Sequence, residues 1–250
     1  MLIVLNGGFS AHALLTHGGK ILLPFCIAQA FGLAETSPVN ILACEEDFAA
    51  HHTESEAKPP SYPEGTYALC VKGEHEGWSE YYAYKHLGSW QGLEVIIQFN
   101  FADGRTGDFS SIELLKLDRG VLIPVKIIAG GDRAWGAIKD GALSGSMLTY
   151  TQFLNDASAS VYLGLSEKAS QILYNCAACF GFLGTFTYNL ETQEKTLVKL
   201  ELLSDWKRSY PQSSLQENFD VVFIDQIKSK STLEGAALEV FKKKLQESVH

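Results

Sequence analysis

The sequence predicts a mainly β protein of the α+β class: an antiparallel sandwich, barrel or strongly curved sheet with a C-terminal amphipathic helix packed on it. Three observations carry this. Apolar and polar residues alternate with a period of two in roughly nine short runs. Turn-forming residues separate those runs at intervals of about 8–15 residues. The strand–helix rhythm of a doubly wound parallel sheet is absent from the sequence.

The chain opens on two features that compete for one explanation. Residues 1–34 hold no Asp or Glu and a single Lys, Lys20, and the run from Ile21 to Ala34 is apolar for 14 residues. That is too short to span a bilayer and fits the hydrophobic region of an export signal. Gly32 and Ala34 then supply small residues before Glu35, so the expectation is a signal removed near Ala34. The other reading of the same residues is a strand from Met1 followed by a core helix interrupted at Pro24. Residues 35–64 carry Glu45, Glu46, Asp47, Glu54, Glu56 and the prolines Pro59, Pro60 and Pro63. They read as an exposed acidic leader, irregular from Cys44 onward. Residues 65–250 read as one β-rich domain.

Within that domain Thr66–Gly73 is β-rich, and Trp78–Leu87 alternates with Trp78, Glu80, Tyr82, Tyr84 and His86 on one side. Leu93, Val95, Ile97, Phe99 and Phe101 share a face, opposite Glu94, Gln98 and Asn100. Asp103-Gly104 is a favoured turn pair and predicts an antiparallel return over Phe109–Leu117. Val121–Ile127 alternates again, with Pro124 marking an edge or a bulge. Met147–Phe153 and Val161–Leu165 are weaker strands. Phe180–Leu190 and Thr196–Leu202 form a hairpin across Glu191–Glu194, with Thr196, Val198, Leu200 and Leu202 on one face, and Phe219, Val221 and Phe223 start another strand. Helix is expected over Ser166–Cys179 and over 232–248, where Ser231 and Glu234 make a capping box and Leu233, Ala236, Ala237, Val240, Phe241 and Leu245 recur at helical spacing.

Composition bounds the function. The 250 residues are 46% hydrophobic and 20% charged, with a net charge of −9, so a core is affordable and a wholly disordered chain is excluded. The basic footprint that a nucleic acid requires is missing, so no nucleic-acid partner is expected. No transmembrane segment is expected in the mature chain, and the oligomeric state stays open. With the signal removed, Cys26 leaves and Cys44, Cys70, Cys176 and Cys179 remain, an even set that suits disulfides in a periplasmic or extracellular setting. Buried free thiols are the alternative. Cys176-Ala177-Ala178-Cys179 is a C-x-x-C placed late in a candidate helix, which argues for structural cysteines over a redox pair or a zinc site.

Motifs for chemistry are sparse. His17-Gly18-Gly19 resembles an oxyanion turn, but the G-x-S-x-G elbow that such hydrolases need is missing from the sequence. Asp47 and His51 lie four apart beside Glu45 and His52; a solvated face explains them better than a metal site, and neither metal nor cofactor is expected. The aromatic residues Trp78, Tyr82, Tyr84, Trp90 and Trp135 combine apolar bodies with polar handles. On a curved sheet they would line a pocket for a small apolar or glycan-like ligand. An acid–base pair drawn from His75, His86, Asp103, Asp108 and Asp132 in the same cleft is the enzymatic alternative, and a docking domain without a ligand is the third.

Overall fold

A computed structural model describes residues 14–31, 36–55, 61–72, 79–102, 108–133, 135–166, 168, 171, 173, 181–203 and 214–249. Among these the chain is mainly β, with antiparallel sheets and a strongly curved half-barrel. A six-stranded sheet runs β3-β8-β7-β6-β5-β4 and a five-stranded sheet runs β13-β12-β11-β10-β9. The strands are β3 (Val39–Asn40), β4 (Thr66–Lys72), β5 (Ser79–Trp90), β6 (Leu93–Ala102), β7 (Asp108–Asp118), β8 (Val121–Asp132), β9 (Trp135–Ser144), β10 (Met147–Leu154), β11 (Phe182–Asn189), β12 (Lys195–Leu202) and β13 (Thr232–Glu234). A two-residue ribbon, β1 (Thr16–His17) with β2 (Lys20–Ile21), precedes them.

Strand neighbours in sequence are mostly neighbours in space, and two-residue turns join β5 to β6, β7 to β8 and β9 to β10. Between β5 and β6 both Gln91 (φ 49°) and Gly92 (φ 76°) adopt the left-handed backbone that suits a tight hairpin. Pro124 stands opposite Leu115, where the β7–β8 register shifts, so the expected bulge is present. Further shifts occur in β5, between β9 and β10 and between β11 and β12, and each adds local twist and bend.

Two cores form, one on either face of the six-stranded sheet. On the inner face, Ala83, Val95, Ile97, Ile112 and Leu114 meet Tyr150, Phe182, Phe186 and Leu200 of the five-stranded sheet. This core is closed by α3 (Asp156–Tyr162), α4 (Ser214–Ser229) and α5 (Ala236–Val249). Phe219 and Phe223 of α4 lie one turn apart and set their rings against Phe182 at 6.1 and 4.8 Å. On the outer face Tyr84, Ile96, Leu115 and Leu122 are covered by α1 (Pro24–Ala30) and α2 (Ile41–His51). Asn40 caps α2, its side chain accepting from the Ala43 N–H at 3.0 Å, and Ile41, Cys44 and Phe48 supply the buried stripe. Cys26 and Cys44 are joined by a disulfide that ties α1 to α2.

Several expectations are corrected. Pro24–Ala30, within the stretch expected as an export signal, forms α1, the helix of the other reading, with Phe25, Cys26, Ile27 and Ala30 buried. The first residues of the region expected to be irregular from Cys44 onward, 44–51, belong to α2. Cys44 pairs with Cys26 rather than with Cys70, which is a buried free thiol; Cys176 and Cys179 lie outside the described residues, with most of Ser166–Cys179. Phe219, Val221 and Phe223 belong to a helix, because Phe219 and Phe223 satisfy the helical repeat as well as the alternate one and Val221 is exposed. Val161 lies on α3, whose capping box is Asn155 with Ser158. β9 was not anticipated. The C-terminal helix begins at Ala236 instead of 232, since Thr232–Glu234 adds β13 to the sheet edge, and Val240 faces out while Leu238 faces in.

Candidate functional site

The aromatic residues expected to share a pocket are dispersed. Tyr84 is fully buried in the outer core, its hydroxyl donating to the Leu15 carbonyl at 3.5 Å. Tyr82 meets the edge of Phe25 at 5.4 Å and donates to Glu80 at 2.6 Å. Trp90 packs against the inner core on the opposite side of the sheet. Trp135 is half exposed at the start of β9, and Trp78 lies outside the described residues.

Two of the acid–base candidates, His86 and Asp132, are engaged by neighbouring groups. His75 and Asp103 lie outside the described residues. His86 Nε2 is 2.8 Å from Glu94 Oε2, which also accepts from Ser89 at 2.6 Å. Asp108 and Asp132 do meet, the Asp108 N–H donating to Asp132 Oδ1 at 2.9 Å, but Arg133 donates to both Asp132 oxygens at 3.0 and 3.1 Å. The Asp108 carboxyl is raised above its usual range by desolvation and then by the charge of Asp132, with Arg133 opposing. This arrangement clamps the ends of β7 and β8. His51 lies 2.9 Å from Asp47 Oδ1 on one face of α2; among the described residues no group of three or more His, Cys, Asp or Glu is placed to hold a metal.

Three other interior ionisable groups define the chemistry. Lys85 of β5, 5% exposed, reaches Asp140 of β9 at 2.7 Å. Glu113 of β7, 1% exposed, accepts from Ser111 Oγ at 2.5 Å. With the Gln98 carboxamide turned to satisfy its neighbours, its nitrogen donates to Glu113 at 2.9 and 3.2 Å and its oxygen accepts from Asn100 at 2.6 Å. Burial pushes the Glu113 carboxyl up to about 8, the Ser111 bond opposing. Both groups are enclosed and partnered.

Lys195 is different. It opens β12 beside the β11–β12 hairpin turn, and its half-buried side chain turns toward the inner core. Its Nζ stands 4.3 Å from the centre of the Phe186 ring, 4.7 Å from that of Tyr162 and 5.5 Å from that of Tyr150, within range of cation–π attraction. It donates to Tyr162 Oη at 2.8 Å and to Gln152 Oε1 at 3.3 Å. Among the described residues no carboxylate pairs with it, and desolvation lowers its pKa to about 8. Beside it Tyr150, 1% exposed and stacked on Phe186 at 5.5 Å, has a buried hydroxyl with no hydrogen-bond partner.

Local irregularities build this box. The register shift between Thr185 and Phe186 skips Val198, so Leu197 and Lys195 point inward where unbroken alternation from Leu202 would turn them out. A second shift lies at Gln152, whose amide donates to the Gly136 carbonyl at 2.9 Å and presents its oxygen to Lys195. Gly184 leaves room for the Phe186 ring, which a Cβ there would meet at 2.7 Å. The expected inward set of Thr196 and Val198 is therefore wrong by one residue, and that slip hid Lys195. The available signal was Lys195 standing two before Leu197.

A groove of about 410 Å³ between α4 and α5 is lined by Val221, Val222, Ile224, Asp225, Gln226 and Lys244. It is open to solvent. No described helix is long and apolar enough to cross a membrane. Comparison with protein-family models, with curated proteins and with solved structures finds no match for this chain.

Proposed function

We propose that the protein binds a small, mainly apolar or ring-bearing molecule, and that the ligand seats against the box of Lys195, Tyr150, Tyr162 and Phe186. The observation that carries this reading is an ammonium sheathed by three rings without a carboxylate partner, next to an idle buried hydroxyl. Burying a cation and leaving a hydroxyl unpartnered both cost stability, and uncompensated groups of this kind mark sites that a ligand completes. Native mass spectrometry of protein taken from its source is expected to show an adduct that denaturation releases. A clean unliganded mass, with no thermal shift across a panel of lipids, sugars and aromatic compounds, overturns the reading.

The compartment that goes with this function is periplasmic or extracellular. The Cys26–Cys44 disulfide supports it, since such bonds persist where the surroundings are oxidising. It requires the address to leave Cys26 in the mature chain. Non-reducing mass analysis with N-terminal sequencing tests both points: a bonded pair on a chain retaining Cys26 agrees, and free thiols on both cysteines overturn it.

A further inference from the structure

We infer that the polar end of the ligand is a carboxylate, held by the Lys195 ammonium and the Tyr150 hydroxyl with Tyr162 alongside; this rests on the binding reading above and names the ligand class. The donor count leads there. A lysine ammonium has three N–H bonds, and Lys195 uses two, on Tyr162 Oη and Gln152 Oε1. One Lys195 N–H, the Tyr162 O–H and the Tyr150 O–H remain. Donors on neighbouring groups match the oxygens of a carboxylate, and the one ammonium among the rings balances its single negative charge.

Charge supports the same class. Lys126 of β8 lies at the same hairpin end, its ammonium donating to Tyr188 Oη at 3.0 Å and to Gln193 Oε1 at 2.8 Å. Tyr188 is the cross-strand partner of Lys195. Neither lysine is ion-paired among the described residues, and the turn carboxylates Glu191 and Glu194 pair with neither. In a chain of net charge −9, two ammonium groups left without counter-ions at one place favour an anion there. The apolar walls of the box suit the rest of the molecule, so the class is an amphiphilic monocarboxylic acid. Lys195 stands at the strand end and is half-buried.

The test is isothermal titration of the full chain with dodecanoate, dodecanol and dodecyltrimethylammonium, using wild type, Lys195→Met and Lys195→Arg. A charge-assisted hydrogen bond is worth about 1.5–3 kcal/mol, so wild type is expected to bind the acid at least about ten-fold tighter than the alcohol. Lys195→Met should abolish the preference for the acid over the alcohol, while Lys195→Arg restores part of it. Acid and alcohol binding equally in wild type, or a preference that survives Lys195→Met, overturns the carboxylate and leaves the apolar-binding reading standing. Failure of all three amphiphiles to bind overturns both.

Discussion

Lys85 and Glu113 on the six-stranded sheet and Lys195 on the five-stranded sheet are all ionisable groups turned into the fold, and they are treated in opposite ways. Lys85 has Asp140 at 2.7 Å, and Glu113 has Ser111 and Gln98 as donors. Lys195 has rings, one hydroxyl and one amide oxygen, and its neighbour Tyr150 has an unused hydroxyl. Enclosed, satisfied groups hold a structure together. A half-buried cation left short of partners weakens the folded state unless something else arrives. The comparison sets partnered groups turned in from the six-stranded sheet against a lysine of the five-stranded sheet left without a counter-ion among the described residues.

Replacing Glu113 should break the structural half most severely. Glu113→Ala leaves the Gln98 and Ser111 donors buried and unpaired, and urea unfolding is expected to show a loss of about 3 kcal/mol. Removing the partner of Lys85 comes next. Asp140→Ala strands a buried ammonium; because Asp140 is half exposed and screened, about 2 kcal/mol is expected rather than the larger cost of a fully enclosed pair. A change within about 0.5 kcal/mol in either variant would erase the distinction between the sheets.

Lys195 should respond with the other sign. Lys195→Met relieves the buried charge and is expected to raise stability by roughly 1 kcal/mol while weakening ligand binding, the trade characteristic of functional sites. A destabilised Lys195→Met would make Lys195 one more structural group.

The pH dependence sharpens the contrast least in size but most directly in sign. Between about pH 4.5 and 8 the folded chain holds a proton on Glu113 that the unfolded chain has released, so this group's contribution to stability falls as pH rises. Between about pH 8 and 10.5 the unfolded chain holds a proton on Lys195 that the folded chain has released, so stability rises with pH across that window. Denaturant titrations of wild type and Lys195→Met should differ in slope only above about pH 8. Identical profiles would remove Lys195 from the account.

Much of the β-structure was legible because its causes are local. The alternation from Leu93 to Phe101, the antiparallel return expected over Phe109–Leu117, and the two arms around Glu191–Glu194 appear as β6, β7, β11 and β12 in antiparallel pairs; Asp103-Gly104 lies outside the described residues. Phe219 and Phe223 misled because residues four apart satisfy both repeats, and only the exposure of Val221 separates them. Ile21–Ala34 admits two readings because a short apolar run suits a buried helix as well as an address signal. The outer core formed with that run, around Tyr84, Ile96, Leu115 and Leu122, is not part of the sequence reading. The candidate site was illegible for a different reason: a bulge at Val198 changes which side chains point inward, and a bulge leaves no residue pattern of its own here.

The sequence by itself determined the fold class, the order of the principal hairpins and the presence of an amphipathic C-terminal helix, because alternation, turn pairs and helical stripes act over a few neighbouring residues. Only the tertiary structure decided that Cys26 meets Cys44, that both faces of the six-stranded sheet are covered, and that Tyr150, Tyr162, Phe186 and Lys195 surround one charge. Those groups come from β10, α3, β11 and β12, and their meeting depends on strand register and on where a ladder slips. Register is a property of paired strands, which no single run of residues contains.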